Sequence, residues 1–241
     1  QALYRKYRPK TFSEVVGQSH ITKTLSNQIK KGEISHAYLF SGSRGTGKTS
    51  VARIFARAIN CLNPQDGSPC YECEVCKAIS SQNNMDIIEI DAASNNRVDE
   101  IREIREKVKF LPTNGKYKVY IIDEVHMLTD SAFNALLKTL EEPPSHVVFI
   151  LGTTEPHKLP QTILSRCLRF DFKLLSPEDL KRQLISIFDK ENIKYEDPAV
   201  DLIVSSAQGS DRDMLSIADA VVSLGNGVAS YSNALSMLGA T

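Results

Sequence analysis

The 241-residue sequence has no excess of either charge: 29 lysines and arginines face 29 aspartates and glutamates. No global field therefore draws the chain to nucleic acid or to an anionic membrane, and any such contact has to be a local patch. It lacks an apolar run near the roughly 18 residues of a membrane span. Its charged start, Tyr4 to Lys10, lacks the apolar stretch of a signal peptide, so the expected location is cytoplasmic, with no membrane partner. Glycine (12) and proline (10) are sparse, with no internal repeat or low-complexity segment, which excludes a disordered or fibrous chain. Cysteine is scarce too, yet four of the five fall between Cys61 and Cys76. That clustering fits metal binding in a reducing compartment better than a disulfide framework. Apolar side chains are plentiful: 41% hydrophobic against 24% charged suits a substantial core, and the length suits a core domain plus a smaller second one.

Along the chain, Tyr4 to Gly17 shows no helical period, and Pro9 predicts an extended arm turning at Gly17. A helix is predicted from about Ile21 to Lys31, ended by Gly32. Apolar runs at Ala37–Phe40, Met85–Ile90, Lys118–Asp123, Val147–Gly152 and Leu168–Phe172 read as strands. Helical periodicity falls at Thr49–Ile59, Arg97–Phe110 and Ser131–Leu140. Such alternation implies an α/β fold with a parallel sheet covered on both faces. Beyond Leu175 the pattern changes. Ser176 is a good N-cap with Pro177 behind it, and three more helical stretches follow near Asp197–Ala207, Arg212–Leu224 and Ser230–Leu238 with no strands expected between them. The predicted division is therefore 1–175 for the α/β domain and 176–241 for a small all-helical domain.

Gly42-Ser43-Arg44-Gly45-Thr46-Gly47-Lys48-Thr49 matches G-x-x-x-x-G-K-[ST]. Its glycines let backbone N–H groups fold around phosphate, and the following helix, with Ser50 in its first turn, favours anions at its N-terminus. The match lies between a predicted strand and a predicted helix, the context the motif requires. This chemistry suits ATP with Mg²⁺: Lys48 neutralises the β and γ phosphates, and Thr49 offers a hydroxyl to the metal. The run Lys118–Asp123 ends in Asp123-Glu124, at the carboxyl end of a strand where parallel sheets bind ligands. Asp123 is the candidate for the Mg²⁺ shell and Glu124 for the general base acting on water. His126 completes Asp-Glu-Val-His, letters that also suggest a helicase box, although a lone histidine there more commonly serves packing or supports a neighbour.

Cys61, Cys70, Cys73 and Cys76 give C-x8-C-x2-C-x2-C, a spacing that lets four thiolates surround one Zn²⁺. A closed four-thiolate site has no open position for water, so the expected role is structural. Bystander thiols or a redox pair are the alternatives. Cys167, in an apolar setting, is expected in the core.

Ser165-Arg166-Cys167 resembles an element of the AAA+ clamp-loader ATPases, and other segments agree in order. YRPKTFSEVVGQ is similar to the family's adenine-site segment, DEVHMLTDSAFNALLKTLEEPP to its Walker B region, TTEP to its sensor 1 and GSDRDML to its sensor 2. The resemblance covers essentially the whole chain and implies an AAA+ P-loop sheet with a zinc-binding insertion at 61–76 and a helical lid. It implies adenine against Arg8, Pro9, Val16 and Gly17, with Thr154 as sensor 1 and Thr153 as the alternative. It further implies Arg212 as sensor 2 and Arg166 as an arginine finger acting in trans. The implied partners are other clamp-loader subunits of delta and delta-prime type, a sliding clamp and primer-template DNA, with Arg97 and Thr129 as candidate phosphate contacts. The basic arm Arg5, Lys6, Arg8 and Lys10 reads instead as a solvated charge run. Family members continue into an oligomerising collar, so this chain is expected to be a fragment, hetero-oligomeric at full length and monomeric alone. A helicase would need a second α/β lobe, a non-hydrolysing scaffold would not need intact Lys48, Thr49, Asp123 and Glu124, and a small-molecule kinase would not explain Ser-Arg-Cys.

Overall fold

A computed structural model describes residues 1–94 and 98–239. Five parallel strands form the central sheet: β1 Ala37–Ser41, β2 Ile87–Asp91, β3 Lys118–Asp123, β4 Val147–Thr153 and β5 Leu168–Asp171, in the order β2-β3-β4-β1-β5. Their side chains alternate between two apolar layers, as a two-residue period requires. Leu39, Tyr120, Ile122 and Leu151 face one core, and Phe40, Ile121, Val148 and Ile150 face the other. Strands buried on both faces read as continuous apolar runs, which is why β1, β3 and β4 stand out in the sequence.

The helices in chain order are α1 Leu3–Lys6, α2 Ser19–Lys31, α3 Lys48–Ala58, α4 Glu74–Ser80, α5 Val98–Lys107, α6 Asp130–Glu141, α7 Gln161–Leu164, α8 Pro177–Lys190, α9 Asp197–Ala207, α10 Asp211–Leu224 and α11 Tyr231–Leu238. Ile21 and Leu25 of α2 pack with Val51 and Phe55 of α3 on one face of the sheet. Ile101 and Ile104 of α5 pack with Phe133 and Leu136 of α6 on the other. Helices α8 to α11 enclose a separate core around Leu184, Phe188, Ile203, Met214 and Val221. Hydroxyl caps set the starts of several helices: Ser176 Oγ accepts from Asp179 N and Ser210 Oγ from Asp213 N, both at 3.1 Å. Such caps stabilise a helix by about 1 kcal/mol.

The structure corrects two expectations. The start of the chain is not simply extended, since Leu3–Lys6 forms a turn of α-helix and Phe12–Glu14 a turn of 3-10 helix. Leu3 is buried in the helical core, and its N–H donates to Asp219 Oδ2 of α10 at 2.9 Å. Phe12 is buried in the sheet-side core, so this short arm spans both apolar units. The C-terminal helices are also not free of strands. Lys194–Tyr195 (β6) pairs in parallel with Val228–Ala229 (β7), a two-residue ladder too short to show a period in sequence.

Candidate functional site

The carboxyl ends of β1, β3 and β4 lie side by side, so the segments that follow them converge. Gly42 N donates to Thr153 O at 3.1 Å, which closes the glycine-rich loop against the end of β4. Gly45 has φ +79°, and a Cβ there would lie 2.0 Å from Ser210 Oγ. Asp211 N donates to Gly45 O at 3.0 Å. Glycine at 45 thus lets the start of α10 seat directly on the loop.

A cleft of about 610 Å³ opens at this junction. Of the predicted nucleotide residues, Arg8, Pro9, Val16, Arg44 through Ser50, Asp123, Glu124, Thr154 and Arg212 line it. Gly17, Gly42 and Ser43 are not among its lining residues. A Cβ on Gly17, at φ +72°, would strike Leu175 Cδ2 at 2.5 Å. Lys48 Nζ donates to Gly42 O and Ser43 O at 2.6 and 2.8 Å, and burial lowers its pKa while Asp123 and Glu124 oppose that effect. Thr49 Oγ1 lies 3.5 Å from Asp123 Oδ2, placing a hydroxyl and a carboxylate where they could share a hard cation. Residues of the kinds that hold Mg²⁺ beside phosphate are therefore gathered at one end of the cleft.

Glu124 adopts a left-handed backbone, φ 52° and ψ 42°. Burial, and then the neighbouring charge of Asp123, raise its pKa. His126 Nε2 lies 3.3 Å from both Glu124 Oε2 and Glu155 Oε2, and Nδ1 is 2.8 Å from Thr153 Oγ1. The Thr153 hydroxyl also accepts from Glu155 N at 3.0 Å. In the neutral tautomer that directs an Nε2–H at the two carboxylates, Nδ1 accepts from the Thr153 hydroxyl. Thr153 is thus buried behind the site while Thr154 faces the cleft.

The N-terminal arm and the helical unit supply residues that sequence reasoning missed. Tyr4 and Tyr7 of the arm, Asp91, Leu175, Asp211 and Leu215 also line the cleft. Arg212 places its guanidinium 5.3 Å from the centre of the Tyr4 ring. Gln18 is buried, and its Nε2 donates to Thr46 O and Lys173 O at 3.0 and 2.7 Å, joining the arm, the loop and the segment after β5. The Leu3, Tyr4 and Tyr7 spacing was the available signal for the arm, but it is one turn long and bounded by charges. Burial raises the Asp211 pKa to about 6 from 3.8. A raised acid pKa means the folded state holds its proton longer than the unfolded chain, so stability falls as pH rises from about 4 to about 6. The displacement corresponds to about 3 kcal/mol at neutral pH. Asp211→Asn is expected to melt higher than wild type at pH 7 and to lose that decline, as thermal melts across pH 4 to 8 would show.

Arg166 lies outside the cleft. It is exposed, with Nη2 3.9 Å from Glu141 Oε1 at the end of α6. Thr129 is committed to capping α6, its Oγ1 accepting from Ala132 N at 3.2 Å. Arg97 falls outside the described residues. Cys167 is partly buried against the core formed with α5 and α6.

The other four cysteines meet. Their sulfurs all lie within 4.8 Å of one another, compatible with the roughly 3.8 Å that four thiolates would show around one zinc ion. Backbone N–H groups of Asn63 and Cys70 point at Cys61 Sγ, those of Glu72 and Cys73 at Cys70 Sγ, and that of Cys76 at Cys73 Sγ, at 3.2 to 3.4 Å. Such donors stabilise thiolates, so the donor set fits zinc. Arg57 of α3 fixes the module to the sheet domain, donating to Cys76 O at 2.8 Å while its guanidinium lies 4.6 Å from the Tyr71 ring centre. Helix α4, starting at Cys73, was not expected among these loops; its N-cap is the Cys73 sulfur itself.

A parallel sheet ordered β2-β3-β4-β1-β5, with a phosphate-type loop after β1 and a helical lid seated on that loop, defines an AAA+ P-loop protein. Solved structures agree on the fold. The Thermotoga maritima RuvB Holliday junction branch migration motor superposes with a TM-score of 0.70 at 21% identity, over 97% of this chain and 72% of its own. A point mutant of the same motor gives 0.71 at 20%, over 97% and 73%. Sequence comparison is more specific. Residues 17–176 match the family model described as "DNA polymerase III, delta subunit", and residues 179–227 match "DNA polymerase III clamp loader subunit, ATPase lid domain". The chain belongs to the DNA polymerase III clamp-loader family, on the tau/gamma side of it. It is 56% identical to DNA polymerase III subunit tau of Bacillus subtilis, over 100% of this chain and 43% of the relative. With subunit tau/gamma of Haemophilus influenzae the identity is 52%, over 99% and 35%. With subunit tau of Escherichia coli it is 49%, over 99% and 37%. The chain thus spans about two fifths of the length of these relatives.

Proposed function

We propose that this chain is an ATP-hydrolysing subunit of the clamp loader in the DNA polymerase III holoenzyme. ATP binding closes an assembly of subunits that opens a sliding clamp and grips primer-template DNA, and hydrolysis releases the clamp onto the DNA. The observation that carries the reading is the cleft itself, where the glycine-rich loop, Asp123 and Glu124, Thr154 and Arg212 converge from separate parts of the chain.

In this scheme the loop amides and Lys48 hold the β and γ phosphates, and Thr49 and Asp123 hold Mg²⁺. Bound there, Mg²⁺ would neutralise charge building on the phosphates. Glu124 orients the attacking water and accepts its proton, helped by burial and the neighbouring charge of Asp123, which raise its pKa. His126 holds that carboxylate in place from behind. Arg212 reaches the phosphates from 176–241, which acts as a lid on the 1–175 domain, so lid position follows the nucleotide. Arg166, which is exposed and lies outside its own cleft, serves a neighbouring subunit's nucleotide in this reading. Delta and delta-prime type subunits, the clamp and primed DNA are the partners in this reading, in the cytoplasm, with Arg97 and Thr129 at the DNA. Titration of the chain with ATP and Mg²⁺ tests it: saturable one-to-one binding supports the assignment, and no binding at millimolar ATP would remove it.

The cysteine module is assigned as a structural zinc site. Elemental analysis is expected to find about one zinc per chain, and chelation at neutral pH to melt the 61–80 segment before the sheet. A folded protein with four free thiols and no metal would reject the site.

A further inference from the structure

The cysteine module supplies none of the residues that line the cleft, yet it holds the arm that does. Tyr7, Arg8 and Pro9 line the cleft, as do Val15 and Val16, whereas Lys10 and Phe12 between them do not. Those two residues are tied to the module instead. Tyr71 Oη donates to Lys10 O at 2.5 Å, and Phe12 N donates to Ser68 Oγ at 3.0 Å in a buried bond. Among the described residues, no other hydrogen bond joins residues 8–14 to any part of the chain beyond the arm. The buried Phe12 ring fixes one point of the arm, and the two bonds fix its backbone on either side of Thr11.

Both partners in the module are themselves held. Ser68 closes a turn in which Asp66 and Gly67 take left-handed backbones, φ 52° and 81°, while Gln65 and Ser68 exchange N–H to carbonyl bonds at 2.8 and 2.9 Å. That is the form of a tight two-residue hairpin turn. A Cβ on Gly67 would lie 2.6 Å from Ser26 Cβ, so the turn is seated on α2. Tyr71 stands between Cys70 and Cys73 with a left-handed backbone, φ 61°, which a bulky residue rarely adopts. Such a conformation persists where the surroundings enforce it, and here the gathered cysteines and the Arg57 guanidinium over the ring surround it. The place of the tyrosine hydroxyl therefore depends on the module, and the course of the arm depends on the hydroxyl. We propose that Ser68 and Tyr71 are positioning residues for nucleotide binding, holding the arm's wall of the cleft through Lys10 and Phe12, so that the module braces the ATP site from outside. The inference rests on the ATP-site reading above. An arm released at Lys10 and Phe12 would have to be ordered again by each nucleotide that binds, which subtracts from affinity and leaves the groups acting on phosphate untouched.

Equilibrium binding of ATP with Mg²⁺ to full-length protein, and turnover with its partner subunits, test this on wild type, Tyr71→Phe, Ser68→Ala and the double variant. Tyr71→Phe keeps the aromatic ring and all four cysteines and removes one bond. The double variant is expected to bind ATP at least about fivefold more weakly, the scale of one or two lost hydrogen bonds. Its turnover at saturating ATP should stay within about twofold of wild type, because the loss falls on binding alone. By linkage, saturating ATP should also slow hydrogen exchange of the wild-type Phe12 amide, although Phe12 does not line the cleft. Lys30→Ala, which breaks an exposed ion pair with Asp66 of the same module, should leave affinity within about twofold. Where Ser68→Ala folds poorly, Tyr71→Phe alone should still weaken ATP by about threefold. Unchanged affinity in these variants, a loss of saturated turnover in its place, or an equal loss in Lys30→Ala would overturn the proposal. Wild type that binds no ATP would remove the ATP site itself, and this proposal with it.

Discussion

Lys48→Ala is expected to cut ATP turnover by at least about 10²-fold, the scale seen when one preorganised group facing the developing charge is removed. Lys48 Nζ rests 2.6 and 2.8 Å from the carbonyl oxygens of Gly42 and Ser43, at the mouth of the loop. No other lysine lines the cleft among the described residues. Arg8, Arg44 and Arg212 also line it, but from the N-terminal arm, the glycine-rich loop and α10, so none is a cation rooted at the start of α3 as Lys48 is. Burial lowers the Lys48 pKa, and the charges of Asp123 and Glu124 oppose that effect. Steady-state phosphate release with full-length protein and its partner subunits is the measurement, and undiminished turnover would remove the loop from catalysis.

Arg166→Ala is expected to show the opposite division. ATP binding to the same chain should stay within about twofold of wild type, because Arg166 sits outside that chain's cleft and its nearest acidic neighbour is Glu141 at 3.9 Å, an exposed pair worth little. DNA-stimulated turnover by the assembled complex should drop by about 10³-fold or more, the usual worth of an arginine finger. A matching loss of ATP binding by the isolated chain would place Arg166 in cis.

Much of the glycine-rich side of the cleft was legible because its information is contiguous. The loop from Gly42 to Thr49 lies between one buried strand and one amphipathic helix, and Asp123-Glu124 ends an apolar run. Four cysteines at short spacing likewise announced their meeting. The apolar walls of the cleft were harder to read, because they come from the arm, the segment at Leu175 and α10, brought together only by tertiary packing. Tyr4 and Tyr7 look like part of a charged tail until Leu3 is seen in the core of the helical unit. Asp211 looks like an ordinary first-turn acid in the sequence, although its Oδ1 is buried without a hydrogen-bond partner. His126 gives little signal on its own because its partners Glu124, Thr153 and Glu155 come from two loops and a strand end. The β6 and β7 ladder, two residues on each side, carries no period to detect.

In the proposed function the nucleotide is a joint between the two parts of this chain and between neighbouring copies in the assembly. Mixing the two variants tests that directly. Lys48→Ala lacks a working cleft but keeps Arg166, and Arg166→Ala keeps its cleft but offers no finger. Full-length chains of each type, co-assembled with partner subunits, clamp and primed DNA, should regain a clear share of wild-type ATP turnover although either variant alone is nearly inactive. Turnover by the mixture no greater than the average of the two alone would contradict it.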